Sequence, residues 1–241
     1  MLPAKANIIA QLQRDILPLQ GFKPTLEKMT MGLGAIERSF PNYSFPLGAV
    51  HEFICPDVEA VSATGGFIAS ILSKLMKNDN ASIWMSSSQS IFVPALSSFG
   101  INPDKIIFIY LKNQKEILWA MEEALKCEGL AAVIGEIPEL SFTNSRRLQL
   151  AVEQSRSTGF IIRNNPRKLE TTACIARWQV RSLPSGLENN MPGVGFPRWN
   201  VELLKVRNGK PDFWQIEYAG GKFNYLTSIV PLQYDQERKT G

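Results

Sequence analysis

The chain has 241 residues, of which 44% are hydrophobic and 20% are charged, and its mean hydropathy is −0.08. This length and balance suit one soluble α/β domain with a core of its own. No uninterrupted apolar run reaches the roughly 18 residues of a membrane span, and the N-terminus has no apolar signal core. We therefore expect a cytoplasmic protein without membrane contact.

Few residues are available for disulfide or metal chemistry. Cys55, Cys127 and Cys174 are far apart and form no paired motif, and His51 is the only histidine. We predict free, buried thiols, no metal site and no cofactor. His51 lies in an apolar segment without a nucleophile motif, so we expect a structural role for it.

The net charge of +4 is unevenly distributed. Residues 141–241 contain 15 Lys and Arg against 8 Asp and Glu, whereas the preceding part is net acidic. A basic half permits contact with nucleic acid, and an ordinary solvated basic surface accounts equally well for the same counts.

Residues 4–17 predict an amphipathic N-terminal helix, with Ile8, Leu12 and Ile16 on its apolar side and Pro18 after its end. This helix can bind a partner or a second copy of the chain, or it can pack as an ordinary helix. The predicted division of the chain has three parts: an arm at 1–24, a core domain at 25–230 and a mobile tail at 231–241.

Strands and helices alternate through most of the chain, which predicts a mostly parallel α/β sheet with right-handed crossovers and helices on both faces. The predicted elements are a strand at 49–54, a helix at 64–77, a strand at 81–85, a short helix at 91–99, a strand at 105–110, a helix at 114–127 with Trp119 in the core, a central strand at 130–138, a helix at 144–156 and a strand at 158–163.

The last third is predicted to extend the sheet in antiparallel fashion. Strand patterns occupy 173–180, 199–207 and 213–218, with a loop at 182–196 and a hairpin turn at Asn208-Gly209-Lys210. Phe213 and Trp214 alternate across one strand, so one of them faces outward unless it is covered. Trp214 is the candidate partner-binding aromatic, beside Ile8, Leu12 and Ile16 of the arm.

Residues 55–62 follow the first strand, where a strand–loop–helix protein holds a nucleotide phosphate. Such a loop needs glycines, whose N–H groups can point at phosphate, and a lysine. The segment has neither, and the carboxylates of Asp57 and Glu59 would repel a triphosphate. A small anion at the helix start near Gly65 and Gly66 is the remaining alternative.

Several stretches resemble the RecA core, over residues 5–225. They are residues 30–32 with Ile36, 46–48 and 50–54 before the nucleotide loop, 130–136 as the Walker B strand, and 170–180 and 201–208 in the late sheet. The resemblance implies a RecA-like fold of the P-loop NTPase type.

The nucleotide site departs from the RecA pattern. The loop glycines fall on Cys55 and Ala60, the lysine on Val61 and the hydroxyl on Ser62. The Walker B aspartate becomes Gly135 or Glu136, and the catalytic glutamate falls near Ser88. The resemblance thus implies a degenerate nucleotide loop and a protein that is not an enzyme.

This pattern is similar to that of the ImuA proteins. Residues 5–24, with Ile8-Ile9 and the stretch 19–24, resemble the opening of that family. The resemblance implies a non-catalytic accessory protein in SOS mutagenesis, the error-prone translesion synthesis that follows DNA damage. Its implied partners are an ImuB-like inactive Y-family polymerase and, through it, an error-prone replicative-type polymerase. Contacts with RecA, contacts with DNA and self-association through the N-terminal helix stay open.

Two alternative functions also stay open. The first is a residual nucleotide binder or weak ATPase that uses Gly65, Gly66 and Glu136. The second is a sequence-independent DNA-binding module, whose basic residues follow the C-terminal ends of the parallel strands. These candidate DNA-binding residues are Arg146, Arg147, Arg163, Arg167 and Lys168.

Overall fold

The computed structural model describes residues 31–78, 80–89, 91–186 and 195–226. The predicted arm, with Ile8, Leu12 and Ile16, and the predicted tail lie outside these residues.

Nine strands within the described residues form one sheet. The strands are β1 (Val50–Cys55), β2 (Ser82–Ser86), β3 (Ile106–Tyr110), β4 (Ala132–Glu136), β5 (Thr158–Asn164), β6 (Ala176–Gly186), β7 (Phe196–Val206), β8 (Asp212–Ala219) and β9 (Lys222–Tyr225). The α-helices in the same part of the chain are α1 (Val58–Leu75), α2 (Gln114–Leu125) and α3 (Phe142–Ser155). Short 3₁₀ helices cover Gly34–Ser39, Pro41–Tyr43, Met76–Asn78, Val93–Phe99 and Pro103–Lys105.

The strand order is β3-β2-β4-β5-β1-β6-β7-β8-β9, so that β1 lies in the interior of the sheet. Pairs among β1 to β6 are parallel, and the pairs from β6 to β9 are antiparallel. The predicted mixed α/β fold, with a mostly parallel sheet and an antiparallel C-terminal part, is confirmed.

Helices cover both faces of the parallel strands. Phe53 of β1 packs against Phe67 of α1, with ring centroids 6.3 Å apart. Val50 of β1 belongs instead to the cluster formed with α2 and α3 on the opposite face. On that face a Cβ at Gly135 would overlap the sulfur of Met121, so glycine is what lets α2 lie so close to β4. By length and composition α1 could span a membrane, yet 61% of it is buried, as in a core helix.

The start of α1 differs from the prediction. The helix begins at Val58 rather than at residue 64, because the side chain of Asp57 accepts a hydrogen bond from the backbone N–H of Ala60 and caps the first turn. Ala60 and Val61 are buried, so the apolar side of the helix also extends further back than the sequence pattern indicated.

The predicted loop at 182–196 contains the ends of two strands. β6 continues to Gly186 and β7 begins at Phe196, and their register shifts between Leu183 and Gly186. Pro184 lies within this irregularity and has no N–H to donate, so it marks a bulge rather than the end of the strand. The last strand, β9, has no counterpart in the prediction.

The predictions for individual residues are confirmed in some cases and wrong in others. Trp119 is 66% exposed, so its predicted core position is wrong: it lies on the side of α2 away from buried Met121. Cys55 and Cys174 are free and buried as predicted, whereas Cys127 is free but exposed. His51 is fully buried in β1, where a structural histidine is expected.

Candidate functional site

The turn between β1 and α1, where the resemblance to RecA places a nucleotide loop, is short and capped by the protein itself. Only Pro56 and Asp57 separate the strand from the helix. The carboxylate of Asp57 accepts from the N–H of Ala60 at 2.7 Å. An anion bound at a helix N-terminus uses backbone donors of this kind, and here Asp57 already occupies the N–H of Ala60.

The residues aligned with the nucleotide loop lie inside α1 rather than in a loop. Ala60 and Val61 are buried, and the hydroxyl of Ser62 donates to the carbonyl oxygen of Val58 at 3.2 Å. Gly65 and Gly66 also lie well within the helix, not at its start. The expected anion position near these glycines is therefore wrong.

Gly66 allows two other elements to pack closely against α1. A Cβ at this position would lie 3.0 Å from the ring of Trp199 and 3.3 Å from that of Phe99. The glycine thus lets β7 and the 3₁₀ helix Val93–Phe99 approach α1 closely.

Glu136, at the C-terminal end of β4, is held by a neighbouring strand. Its Oε1 accepts from the indole N–H of Trp84 on β2 at 2.7 Å. Burial raises the pKa of the nearby Cys55 thiol to about 11, and the negative charges of Glu136 and Asp57 add to this rise. The thiol lies 3.2 Å from the hydroxyl of Thr64, and it is no reactive thiolate at neutral pH.

Carboxylates and a buried, neutral thiol therefore lie at this edge of the sheet. Another acid of the first turn of α1, Glu59, accepts from the hydroxyl of Ser182 at 2.7 Å. Within the described residues, no group of three or more His, Cys, Asp or Glu could hold a metal ion. Ser88, near which the resemblance to RecA places the catalytic glutamate, is exposed, and its carbonyl oxygen accepts from the hydroxyl of Ser86 at 2.6 Å.

A second constellation lies on the α3 face of the sheet and is centred on Glu52. We call it the buried charge network, with the members Glu52, Thr172, Arg163, Arg177 and Glu139. Glu52 of β1 lies 3.3 Å from Arg163 of β5 and 2.9 Å from Arg177 of β6, and the hydroxyl of Thr172 donates to it. Arg163 also reaches Glu139 at 3.4 Å. Several hydrogen-bonded partners compensate each buried charge, as burial requires.

The buried charge network holds the loop that follows β5. Arg163 donates to the carbonyl oxygen of Lys168 at 2.8 Å, and Arg177 donates to that of Glu170 at 2.5 Å. Glu139 accepts from the backbone N–H of Arg167 at 2.7 Å. These hydrogen bonds fix the backbone of the loop at residues 167, 168 and 170.

The candidate DNA-binding residues differ in exposure and in their ion pairs. Arg163 is fully buried, so its predicted role in contacting DNA is wrong. Arg167 and Lys168 are exposed and line an open pocket of about 290 Å³ at the start of α3, together with Glu139 and Glu170. Arg147 pairs with Glu122 of α2 at 2.6 Å, and Arg146 is exposed.

The candidate partner-binding aromatic is also corrected. Trp214 is only 8% exposed, and it belongs to the core cluster on the α1 face. Phe213, the next residue, is 65% exposed. The outward-facing aromatic of β8 is therefore Phe213.

Sequence reasoning missed Glu52, Arg177 and Trp84. The sequence contained a signal for Glu52, because this residue stands in the otherwise apolar stretch 49–54. Arg163 likewise ends the apolar stretch 158–163. A charge in a buried strand needs a buried counter-charge, but the sequence does not say which strands are neighbours. Nothing in the sequence pointed to the bond between Trp84 and Glu136.

These observations define the class: an α/β protein with a mostly parallel, helix-flanked sheet whose β1–α1 turn is capped by its own aspartate. The ImuA proteins of two Caulobacter vibrioides strains are each 30% identical to the chain over 208 residues, which is 80% of this chain and 84% of theirs. The chain belongs to the ImuA family.

A more distant similarity covers about half of the chain. The cell division inhibitor SulA of Yersinia pestis is 26% identical over 116 residues, which is 48% of this chain and 68% of SulA. No model of a known protein family matches the chain.

Proposed function

We propose that this ImuA-family chain is a non-catalytic accessory protein in error-prone translesion synthesis after DNA damage. Its relatives ImuA and SulA support a role in the SOS response to DNA damage. The protein would act in the cytoplasm by contact with other proteins, among them an ImuB-like inactive Y-family polymerase and an error-prone replicative-type polymerase.

We also infer that the core is RecA-like, with an erased nucleotide site. Strand β1 is followed by helix α1 after a two-residue turn, which keeps the strand–helix order of a P-loop protein without its loop, and an acidic residue, Glu136, ends β4. Strands β1 and β4 both run parallel to β5, so Cys55 and Glu136 end their strands at the same edge of the sheet, which supports one common edge for these groups.

One observation carries the non-catalytic proposal: the Asp57 carboxylate caps α1 where phosphate would bind. P-loop chemistry depends on backbone N–H groups and a lysine around the β- and γ-phosphates. Here a fixed negative charge uses the N–H of Ala60 in the first turn of α1, and the position of the lysine is held by Val61, which is buried. Loss of one such electrostatic contact typically costs about 10²-fold or more in rate.

Phosphate release and nucleotide binding test this proposal. We expect the full chain with ATP and Mg²⁺ to release no phosphate above background, and a fluorescent ATP analogue to bind no more tightly than to an unrelated protein. Turnover that disappears in Glu136→Gln, a nearly isosteric change, would establish an ATPase instead.

Mutation frequency in the host bacterium tests the accessory role. Deletion of the gene should lower the mutation frequency after ultraviolet irradiation, and both the native gene and Glu136→Gln should restore it. A deletion without effect would contradict the role in mutagenesis. A folded Glu136→Gln protein that fails to restore mutagenesis would contradict its non-catalytic nature.

Co-purification from damaged cells tests the partners. The full chain is compared with one lacking residues 1–20, which removes most of the predicted arm. We expect the ImuB-like protein to co-purify with the full chain. Loss of this protein, or of a second copy of the chain, upon truncation would assign the contact to the arm.

A second candidate function, direct contact with DNA, has one specific observation in its favour. The buried charge network fixes the backbone at Arg167 and Lys168 while leaving both side chains exposed. If both side chains neutralise DNA phosphates, Arg167→Ala with Lys168→Ala should reduce the salt slope of single-strand binding by about 1.4. Lys205→Ala with Lys222→Ala removes the same charge from exposed positions elsewhere and should leave the slope unchanged.

A further inference from the structure

A groove of about 310 Å³ runs between α2 and α3 on the surface of the protein. Its apolar lining comes from Leu118, Trp119 and the buried Leu148, and its polar lining includes Lys115 and Asn144. The volume matches the lower end of sites that hold a small molecule or the side chains of a bound peptide.

Trp119 is the unusual residue of this groove. It is 66% exposed, whereas the other four tryptophans are between 0% and 8% exposed. The packing of α2 does not need it, because Ile117, Met121 and Leu125 bury the opposite side of the helix. Tryptophan beside an apolar floor is the residue type that most often anchors a protein interface.

The charges around the groove restrict its occupant. Glu122, the acidic residue of the lining, pairs with Arg147 at 2.6 Å and lies 3.7 Å from Lys126. Lys115 is exposed, and it has neither a hydrogen bond nor an ion pair within the described residues. The groove therefore offers one uncompensated positive charge beside an apolar surface.

A nucleic acid fits this surface less well than a peptide. Of the two basic residues that line the groove, Arg147 is paired with Glu122, which leaves Lys115, whereas a chain of phosphates is bound by several cations. A peptide needs to bring only a single carboxylate to Lys115.

We propose that the α2–α3 groove binds a segment of a partner protein that carries an apolar or aromatic side chain next to an acidic residue. The apolar side chain packs on Trp119 and the Leu118–Leu148 floor, and the carboxylate pairs with Lys115. This surface goes beyond the accessory role: it is separate from the β1–α1 turn, and it does not depend on the mutagenesis function.

A random dodecapeptide library displayed on phage provides the probe. The full-length native chain selects peptides after binders of the Trp119→Ala chain have been removed. We expect the selected peptides to share an apolar or aromatic residue beside Asp or Glu. A selection that yields no peptide dependent on Trp119, or only basic peptides, would overturn the proposal.

Affinity measurements with the best synthetic peptide then test each part of the groove. Trp119→Ala should weaken binding about 30-fold, as loss of an interface anchor does. Lys115→Glu should weaken it about 10-fold, and a peptide with its acidic residue changed to Lys should prefer the Lys115→Glu chain to the native one. Equal binding of acidic and basic peptides to both chains would contradict the charge assignment.

Two controls distinguish this groove from a different aromatic surface and from a nucleic-acid site. Phe213→Ala removes an aromatic side chain of nearly equal exposure from another element and should leave peptide affinity unchanged. An oligothymidine of 20 nucleotides should not displace the peptide. Displacement together with quenching of Trp119 fluorescence would assign the groove to nucleic acid and overturn the peptide proposal.

Discussion

Arg163 of β5 lies 3.3 Å from Glu52 of β1, and each side chain is only 1% exposed. The two residues lie on adjacent parallel strands, in which Ile54 is the direct neighbour of Arg163. Arg163, which the sequence indicates as a candidate DNA-binding residue, therefore stabilises the sheet and holds the loop that follows β5.

Removal of this arginine should destabilise the fold strongly. Arg163→Ala leaves Glu52 buried with less compensation, so we expect the free energy of unfolding to fall by about 3–5 kcal/mol. Arg167→Ala, on the exposed loop, should change it by no more than about 0.5 kcal/mol. Urea unfolding of the three proteins checks both values, and equal losses in the two variants would contradict the structural role of Arg163.

The cap of α1 gives a second prediction. Asp57→Ala removes the acceptor for the N–H of Ala60, so the free energy of unfolding should fall by about 1 kcal/mol. Asp57→Asn keeps an acceptor and should lose much less. Neither variant should gain ATP affinity, because Val61 still stands where a lysine is needed. ATP binding by Asp57→Ala would show that the aspartate alone blocks the site.

Adjacent aromatic residues of β8 give a third prediction. Trp214→Ala should destabilise the protein by about 3–5 kcal/mol, because it empties a buried site in the core. Phe213→Ala should change the free energy of unfolding by about 0.5 kcal/mol or less, since that ring is exposed. Thermal unfolding measures both, and a larger loss for Phe213→Ala would mean that another surface covers it.

His51 gives a prediction for pH. Burial lowers its pKa to about 4, against the raising effect of its bond to the carbonyl oxygen of Pro46. The ring donates to that oxygen through Nε2 at 2.8 Å and accepts from the indole of Trp178 at Nδ1, and it stacks on Phe45. Protonation would remove the acceptor at Nδ1.

Because the unfolded chain takes up this proton near pH 6.5, stability should be unaffected above that pH and should fall as the pH drops toward 4. The contribution of His51 to this loss is about 3 kcal/mol. His51→Gln cannot titrate, so its stability should vary less with pH over the same window. Urea unfolding at several pH values compares the two proteins, and parallel curves would exclude His51 as the cause.

Strand prediction succeeded where apolar runs were flanked by turn residues. The runs at 49–54, 105–110 and 158–163 correspond to β1, β3 and β5 within one or two residues. Prediction failed where a local contact decided the outcome: the Asp57 cap moved the start of α1, and the bulge around Pro184 extended β6. Such effects depend on hydrogen bonds that a pattern of apolar residues does not contain.

The sequence alone determined the order of the strands from β1 to β8 and of the three α-helices, the lack of glycines and a lysine in the segment after β1, and the resemblance to the ImuA family. Each of these depends on residue types at fixed spacing, which folding does not alter. Tertiary structure alone decided which charged residues are buried, because Arg163 and Arg167 differ only in what packs around them. It likewise decided that Trp119 and Phe213 are exposed while Trp214 is covered, since exposure depends on which elements lie on top of a side chain.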